Sequence, residues 1–339
     1  MRGKSIIFSL IIAFAAMFVL AGCNQSDGEQ SNGENEQGEQ EKAIEFDEDI
    51  TVYVPFKVGG ALDTRARVVA KYLEQDLDVT VTVENPTGAG GVVGTTEFLT
   101  KNGGPYDLIF SGVTILTLNP LMSDVPYNPD DITPVISNDK EVFGLYTNPD
   151  ASGISTFEEL VAYGKENQIK FGSGGPGNIT HMVQKALYKD LGMDAETVPH
   201  NGANEGLTNA LGGHVDVTLA GVALAKGFVE EGKLTAIAQY GSEEYTNYEG
   251  VDPVPTVAEV GHEDYVYESL MFFGMRSSTD AAVVQAMHDA IAKIYDNPDA
   301  VADLENLGVD NIVEMNTEEI NSWVADEKVF MEKLVDLTK

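Results

Sequence analysis

Short apolar segments alternate with longer amphipathic ones along this chain from about residue 50 to its end. Residues 50–56 are short and apolar, as a buried strand requires, and the segment that follows places Val69 and Leu73 on one helical face. Such alternation is typical of an α/β fold with mostly parallel sheets covered by helices. The pattern predicts further strands at 79–84, 108–110, 141–147, 169–171, 197–198, 215–219 and 234–239, and helices that begin near 92, 179 and 204 or cover 280–296 and 317–337.

The pattern also divides into two units. A second unit begins after Pro134, and an extended segment at 265–275 returns to the first unit, where the C-terminal helices are expected to pack. We therefore predict an α/β clamshell of two lobes joined by two crossing strands, with the ligand bound in the cleft between the lobes. The expected boundaries are 46–137 plus 272–339 for lobe 1 and 138–271 for lobe 2.

The N-terminal segment has the features of an export signal. Arg2 and Lys4 precede an apolar run at 6–20, which is shorter than the roughly 20 residues that span a bilayer. The run ends in Leu20-Ala21-Gly22-Cys23, which resembles the lipobox of bacterial lipoproteins. We predict a signal peptide at 1–22 and a lipid on Cys23, so that the protein lies outside the cytoplasm, anchored to the cell membrane.

Composition narrows the function classes. Residues 23–45 hold the lipidated cysteine and then an acidic segment without aromatic residues, which we expect to be a disordered tether. The formal net charge of −35 argues against nucleic acid or anionic lipid as an electrostatic partner. Cys23 is the only cysteine, so the mature chain has no internal disulfide, and no His pair has metal-ligand spacing. We expect a monomer without metal or cofactor.

Three glycine-rich loops carry the candidate chemistry. Each follows a predicted strand and precedes a helix: Gly59-Gly60, Gly88-Ala89-Gly90-Gly91 and Ser173-Gly174-Gly175. Glycine lets the backbone approach a ligand, and the N–H groups of the first helical turn have no partner within the helix. Three such loops, drawn from both lobes, predict a shared anion site.

The loops also belong to a longer series of motifs. In chain order these are Pro55-Phe56-x-x-Gly59-Gly60-x-x-Asp63-x-x-x-Arg67, Val83-Glu84-Asn85 with Gly88-Ala89-Gly90-Gly91, Gly172-Ser173-Gly174-Gly175-x-Gly177-x-x-x-His181, Val198-Pro199-His200-x-Gly202, Leu211-Gly212-Gly213-His214-Val215-Asp216, Pro255-Thr256-Val257-Ala258-Glu259-Val260-Gly261 and Phe273-Gly274. The ordered set resembles the tripartite tricarboxylate transporter substrate-binding proteins, also called Bug receptors, over essentially the whole chain after the tether.

This resemblance implies a periplasmic-binding-protein-like receptor that closes on a small organic carboxylate and delivers it to the membrane subunits of a secondary transporter. It implies that one set of residues holds the carboxylate: Ser173, Gly174, Asn178 and His181. It implies that the opposite wall is lined by Gly59, Gly60, Asp63, Gly90 and Gly91. It also implies that the side is closed by His200, Asn201 and Gly202. In the family a tyrosine is usual at His200 and a lysine at Asn201, which disfavours a tricarboxylate here.

Two readings of another kind stay open at this stage. A sensory lipoprotein would have the same folded body and hand its ligand to a signalling partner. A serine hydrolase could use Ser173 and His181, although a serine and a histidine eight residues apart across a loop and two helical turns face poorly for proton transfer. We expect Arg67 to be the structural partner of Asp63, and His181 to be neutral at the positive end of a helix.

Overall fold

Each segment expected to be a strand is one in the computed structural model, which describes residues 44–175, 177–200, 202–244, 248–309 and 312–339. The predicted signal peptide, Cys23 and nearly all of the tether lie outside these ranges. The described residues belong to one compact unit. The strands are β1 (Ile50–Tyr53), β2 (Val81–Glu84), β3 (Leu108–Gly112), β4 (Ile132–Thr147), β5 (Ile169–Ser173), β6 (Ala195–Pro199), β7 (Val217–Gly221), β8 (Thr235–Gln239) and β9 (Glu268–Arg276).

Helices follow most of these strands along the chain. Among the described residues no helix is both long and apolar enough to cross a membrane. The helices are α1 (Ala61–Leu77), α2 (Val92–Thr100), α3 (Leu118–Met122), α4 (Pro149–Ser152), α5 (Phe157–Glu166), α6 (Ile179–Asp190), α7 (Ala203–Leu211), α8 (Val222–Glu230), α9 (Ala281–Tyr295), α10 (Pro298–Glu305) and α11 (Thr317–Thr338).

The strands form one sheet in the order β2-β1-β3-β9-β4-β7-β5-β6, with β8 added on β4. The pairs β1–β2, β1–β3, β5–β6 and β5–β7 are parallel, as the sequence predicts. Both long strands are antiparallel to their neighbours, and β4 belongs to both halves of the sheet. Its first part pairs with β9, and its last five residues pair with β7 and β8.

The prediction for β4 was wrong in its start, because this strand begins at Ile132 and not near residue 141. Residues 138–140 are polar, and tertiary partners satisfy the side chains of Asn138 and Asp139. Asp139 forms an ion pair with Arg65 at 2.9 Å, and Asn138 accepts a hydrogen bond from Tyr295 Oη at 3.1 Å. Polar side chains can therefore occupy a buried strand here because their partners come from distant helices.

Helix α11 is in contact with both halves of the sheet. Ile320 and Val324 pack in a cluster with β3 and β9, as the expected return to the first unit requires. Met331 and Leu334, about two to three turns later, pack in the cluster that contains α5, α6 and β7 of the second half. The expected packing of this helix on the first unit therefore holds for its N-terminal part, whereas its C-terminal part covers the second half.

Apart from α3, which starts after Thr117 without a side-chain cap, the helix starts fall into two groups. Asparagine, threonine or aspartate side chains cap α4, α5, α6, α9, α10 and α11. By contrast, α1, α2, α7 and α8 begin after a glycine, without a side-chain cap. Each of these four helices directly follows the carboxyl end of a parallel strand and its loop. Their first-turn N–H groups are therefore left for other partners.

Candidate functional site

The first predicted wall is held together by one carboxylate. Asp63 is 1% exposed, and its Oδ2 accepts hydrogen bonds from Gly59 N at 2.7 Å and from Arg67 Nε at 3.1 Å. Burial by itself would raise the pKa of Asp63, but these hydrogen bonds outweigh it and the pKa is lowered. The predicted pairing of Asp63 with Arg67 is confirmed by an ion-pair distance of 2.9 Å. Asp63 thus ties the Gly59-Gly60 loop to α1.

The same network reaches the next loop. Arg67 Nη2 donates to Asn85 Oδ1 at 3.1 Å, and Asn85 Nδ2 donates to the carbonyl of Phe56 at 3.1 Å. Gly59 has a φ of +76°, a conformation that glycine adopts without strain. The two loops at the carboxyl ends of β1 and β2 are therefore cross-linked through side chains and do not depend on backbone contacts alone.

The loop before α2 is shaped by two left-handed glycines. Gly90 has a φ of +64° and Gly91 a φ of +100°, which place the uncapped start of α2 at the end of β2. Asn119, in α3, donates from Nδ2 to the carbonyl of Gly90 at 3.1 Å. Sequence reasoning missed Asn119, because nothing in the local pattern around α3 marks it as a partner of a loop 29 residues away.

The loop after β5 has an internal hydrogen-bond chain. Ser173 Oγ is 2.8 Å from Thr197 Oγ1 and accepts from Gly175 N at 3.2 Å. Gly174 N donates to Thr180 Oγ1 at 2.9 Å, and the Thr180 hydroxyl donates to Asn178 Oδ1 at 2.8 Å. Asn178 Oδ1 also caps α6 by accepting from Thr180 N.

Thr180 is therefore the centre of this loop, and sequence reasoning missed it. Its hydroxyl takes up the Gly174 amide and one lone pair of Asn178, the two groups expected to hold a carboxylate. A threonine two positions after an asparagine N-cap is a recognisable signal in retrospect, because both can satisfy first-turn amides. A ligand at Gly174 would compete with an internal hydrogen bond of ordinary length.

Two buried histidines lie beside this loop. His181 and His200 are each 7% exposed, and no hydrogen-bond partner is found for His181 Nδ1 or for either ring nitrogen of His200. Burial lowers the pKa of both, assisted at His181 by Lys185 and opposed at His200 by Glu205. Both are therefore neutral near pH 7, and the direction agrees with the expectation for His181.

His200 is placed by its neighbours in the second half. Its backbone N donates to the carbonyl of Ser173 at 2.8 Å, which sets it next to the β5 loop. A Cβ on Gly206 would lie 2.6 Å from His200 Nε2 and 2.8 Å from Thr218 Oγ1, so glycine is needed there. Thr218 Oγ1 is itself buried without a hydrogen-bond partner. The predicted site residue Asn201 lies outside the described residues, and Gly202 begins α7 with a φ of +130°.

The geometry does not pair Ser173 with His181. The hydroxyl of Ser173 contacts Thr197 and Gly175, whereas the His181 ring stacks on Phe171 with centroids 5.9 Å apart. A serine nucleophile needs a hydrogen-bonded base, and the pair that the hydrolase alternative requires is not formed, in agreement with the poor facing inferred from the sequence. No group of three metal-ligating side chains occurs among the described residues.

The two walls approach each other through α3. Asn119 of this helix holds the Gly90 loop, and Met122 Cε at its end lies 3.7 Å from where a Cβ on Gly177 would stand. Gly177 belongs to the loop between β5 and α6. The structure therefore brings loops of both halves to one region, although it leaves the ligand contacts of individual residues as predictions.

Comparison with known proteins agrees with this architecture. The profile of the family described as "Tripartite tricarboxylate transporter family receptor" matches residues 65–337. A Cupriavidus necator protein described as "UPF0065 protein in gbd 5'region" is 29% identical over 84% of this chain and 87% of its own length.

Solved structures show the same fold. The periplasmic binding protein BugD superposes with a TM-score of 0.74 at 23% identity, covering 86% of this chain and 98% of that one. MatC from Rhodopseudomonas palustris, solved with bound malate, superposes with a TM-score of 0.71 at 23% identity, covering 86% of this chain and all of its own. The two-lobed α/β fold predicted from the sequence is confirmed.

Proposed function

This chain belongs to the tripartite tricarboxylate transporter receptor family, and from this premise we propose that it captures a small organic carboxylate between its two lobes. We propose for these lobes the boundaries expected from the sequence, with residues 46–137 and 272–339 in one and 138–271 in the other. The captured ligand is delivered to the membrane subunits of a tripartite tricarboxylate transporter. The malate bound by MatC supports a carboxylate as the ligand class.

One observation carries the proposal. Beside the β5 loop, the polar atoms His181 Nδ1, His200 Nδ1, His200 Nε2 and Thr218 Oγ1 are buried without hydrogen-bond partners. A buried polar atom without a hydrogen-bond partner lowers the free energy of unfolding by about 1–3 kcal/mol, so a ligand that supplies the partner stabilises the protein. The atoms belong to neutral side chains, which suits a carboxylate held by hydrogen bonds without an opposing charge.

The topology supports closure of the two lobes on the ligand. Strand β4 passes from one half of the sheet to the other, and the chain returns through Tyr267, whose N donates to the carbonyl of Tyr240 at 2.6 Å. A ligand shifts such an equilibrium only by binding the closed state more tightly than the open one. Contacts from the Gly59 and Gly90 loops, made only on closure, are the proposed source of that difference.

Thermal unfolding of the purified protein against malate, succinate, adipate and citrate tests the proposal. A ligand at a hundred times its Kd adds about 2.7 kcal/mol of stability. Thr180→Val removes the hydroxyl that joins Gly174 to Asn178 and is expected to change that gain. Thr100→Val, which removes an exposed hydroxyl on α2, is the matched control. If none of the four acids stabilises the protein, or if Thr180→Val responds like the control, the carboxylate site is placed wrongly.

Anchoring and delivery are separate parts of the proposal. We infer from the Leu20-Ala21-Gly22-Cys23 motif that Cys23 carries the lipid. Labelled palmitate should enter the wild-type protein and not Cys23→Ser, which should leave the membrane fraction. Uptake of the ligand into proteoliposomes that contain the membrane subunits should require added receptor. A ligand-dependent signalling response without such uptake would favour the sensory role instead.

A further inference from the structure

A cavity lies at the crossing of the two halves, apart from the loops described above. Its volume is about 400 Å³, and none of the twelve predicted ligand-binding residues lines it. It is lined by Arg65 of α1, residues 139–142 of β4, residues 221–223 at the start of α8 and residues 242–244. Both halves of the sheet therefore contribute walls.

The cavity is rich in carboxylates. Five acidic residues line it against two basic ones, Arg65 and Lys140, so its formal charge is 2 − 5 = −3. Each basic group already has an acid: Arg65 Nη1 is 2.9 Å from Asp139 Oδ2, and Lys140 Nζ is 3.6 Å from Glu268 Oε2. Three acids remain with no basic group within 4 Å among the described residues: Glu141, Glu243 and Glu244.

Glu141 is the most enclosed of these three. Its Oε1 lies 2.7 Å from where a Cβ on Gly221 would stand, so the carboxylate sits against the glycine that begins α8. Burial raises the pKa of Glu141, Arg65 opposes this rise, and Asp139 adds to it. A carboxylate in such a place is stabilised by a cationic group of matching size.

The cavity also contains groups that can bind an anion. Helix α8 has nine residues and starts after Gly221 without a side-chain cap, so its first-turn N–H groups are open to an acceptor. Arg65 is 3% exposed, and no hydrogen-bond partner is found for its Nε. A guanidinium donor buried this deeply without an acceptor points to an anionic group that satisfies it.

We propose that this cavity is a second binding site, which takes a small zwitterion joining an ammonium or guanidinium group to a carboxylate. The cationic end contacts Glu141, with Glu243 and Glu244 nearby, and the carboxylate lies between Arg65 and the start of α8. A dicarboxylate does not fit this pattern because the cavity is already acidic. A simple amine leaves Arg65 Nε without an acceptor. The site goes beyond the proposed function, which uses other loops.

Isothermal titration of the full-length protein with the twenty L-amino acids and glycine betaine tests the proposal. At least one of these zwitterions should bind, and its decarboxylated amine and its deaminated acid should each bind at least about tenfold more weakly. Glu141→Gln keeps the shape and removes the charge, and should weaken the zwitterion at least about tenfold. Glu231→Gln, an exposed acid at the far end of α8, should bind like wild type.

Each outcome discriminates. The proposal is overturned if no zwitterion binds, if the amine binds as tightly as its parent, or if Glu141→Gln binds like wild type while its Tm is unchanged. Arg65→Lys provides a second variant and should weaken the zwitterion more than it weakens the amine. Thr180→Val should leave zwitterion affinity unaltered. Loss of malate response in Thr180→Val with an intact zwitterion response would show that the two sites are independent.

Discussion

Glu327 on α11 offers the sharpest test of the packing between the halves. It is 5% exposed, and its carboxylate accepts hydrogen bonds from Thr117 Oγ1 at 3.0 Å and Trp323 Nε1 at 3.1 Å, with Tyr267 Oη at 3.5 Å. Burial raises its pKa from the ordinary value of 4.5 to about 7, although these three hydrogen bonds oppose the rise. No basic side chain is within 4 Å in the described part of the chain.

The sign of the pH effect follows from proton binding. Between the unfolded pKa of 4.5 and the folded pKa of about 7, the folded state binds more protons at Glu327 than the unfolded state does. This residue therefore reduces stability as pH rises through that interval. Each pKa unit corresponds to about 1.4 kcal/mol, so the reduction is about 3 kcal/mol above pH 7.

Glu327→Gln should remove that dependence. Urea unfolding at about pH 4, 5, 6, 7 and 8 measures the free energy of unfolding of the variant minus that of wild type. We expect this difference to increase by about 3 kcal/mol from the lowest to the highest pH. Glu332→Gln, an exposed acid on the same helix, should show a flat difference. A flat difference for Glu327→Gln as well would refute the placement of this carboxylate.

Three further outcomes test other contacts. Gly94→Ala should destabilise the protein by about 1–3 kcal/mol in urea unfolding, because the added Cβ would lie 2.3 Å from the carbonyl oxygen of Pro86. Gly227→Ala in α8 is the control: its Cβ meets no atom within 4 Å, so it should stabilise the protein by about 0.5–1 kcal/mol. Asp63→Asn should lower the free energy of unfolding by about 1.5–3 kcal/mol near pH 7, because the ion pair with Arg67 is lost. The difference from wild type should shrink as pH falls below 3.8, and a constant difference would contradict the lowered pKa of Asp63. Burial lowers the pKa of His200, so the unfolded state binds its proton more readily and wild type should lose stability below about pH 6.5. His200→Gln should lose less stability over that pH range, and a pH profile of the free energy of unfolding identical to that of wild type would contradict the neutral, buried state of His200.

The local pattern was sufficient for most of the architecture. The alternation of short apolar and longer amphipathic segments predicted a strand at every strand position, and it located the starts of α2, α6 and α11 to within a few residues, although it missed the first nine residues of β4. The Asp63–Arg67 pair was likewise predictable, since both side chains lie one turn apart on α1. The motif series was enough to predict the family that the profile match supports.

The structural roles of buried polar residues were harder to predict from the sequence. The predicted strand began only at residue 141, yet β4 includes the polar residues before it because Arg65 and Tyr295 supply their partners. Thr180 was missed since its role depends on the Gly174 amide, which only the folded loop brings within 2.9 Å. The reach of α11 across both halves was missed for a similar reason, because one apolar face can pack on two neighbours.

The sequence by itself determined the α/β alternation, the glycine loops and the helix caps, because each depends on residues close together in the chain. Only the tertiary structure decided which polar atoms are left without partners. His200 and Thr218 both lie beside Gly206, and Arg65 and Glu141 line one cavity, although the members of each pair come from different parts of the chain. Burial and hydrogen-bond satisfaction depend on every neighbour in space, so the sites that a ligand can stabilise emerge only when the strands assemble.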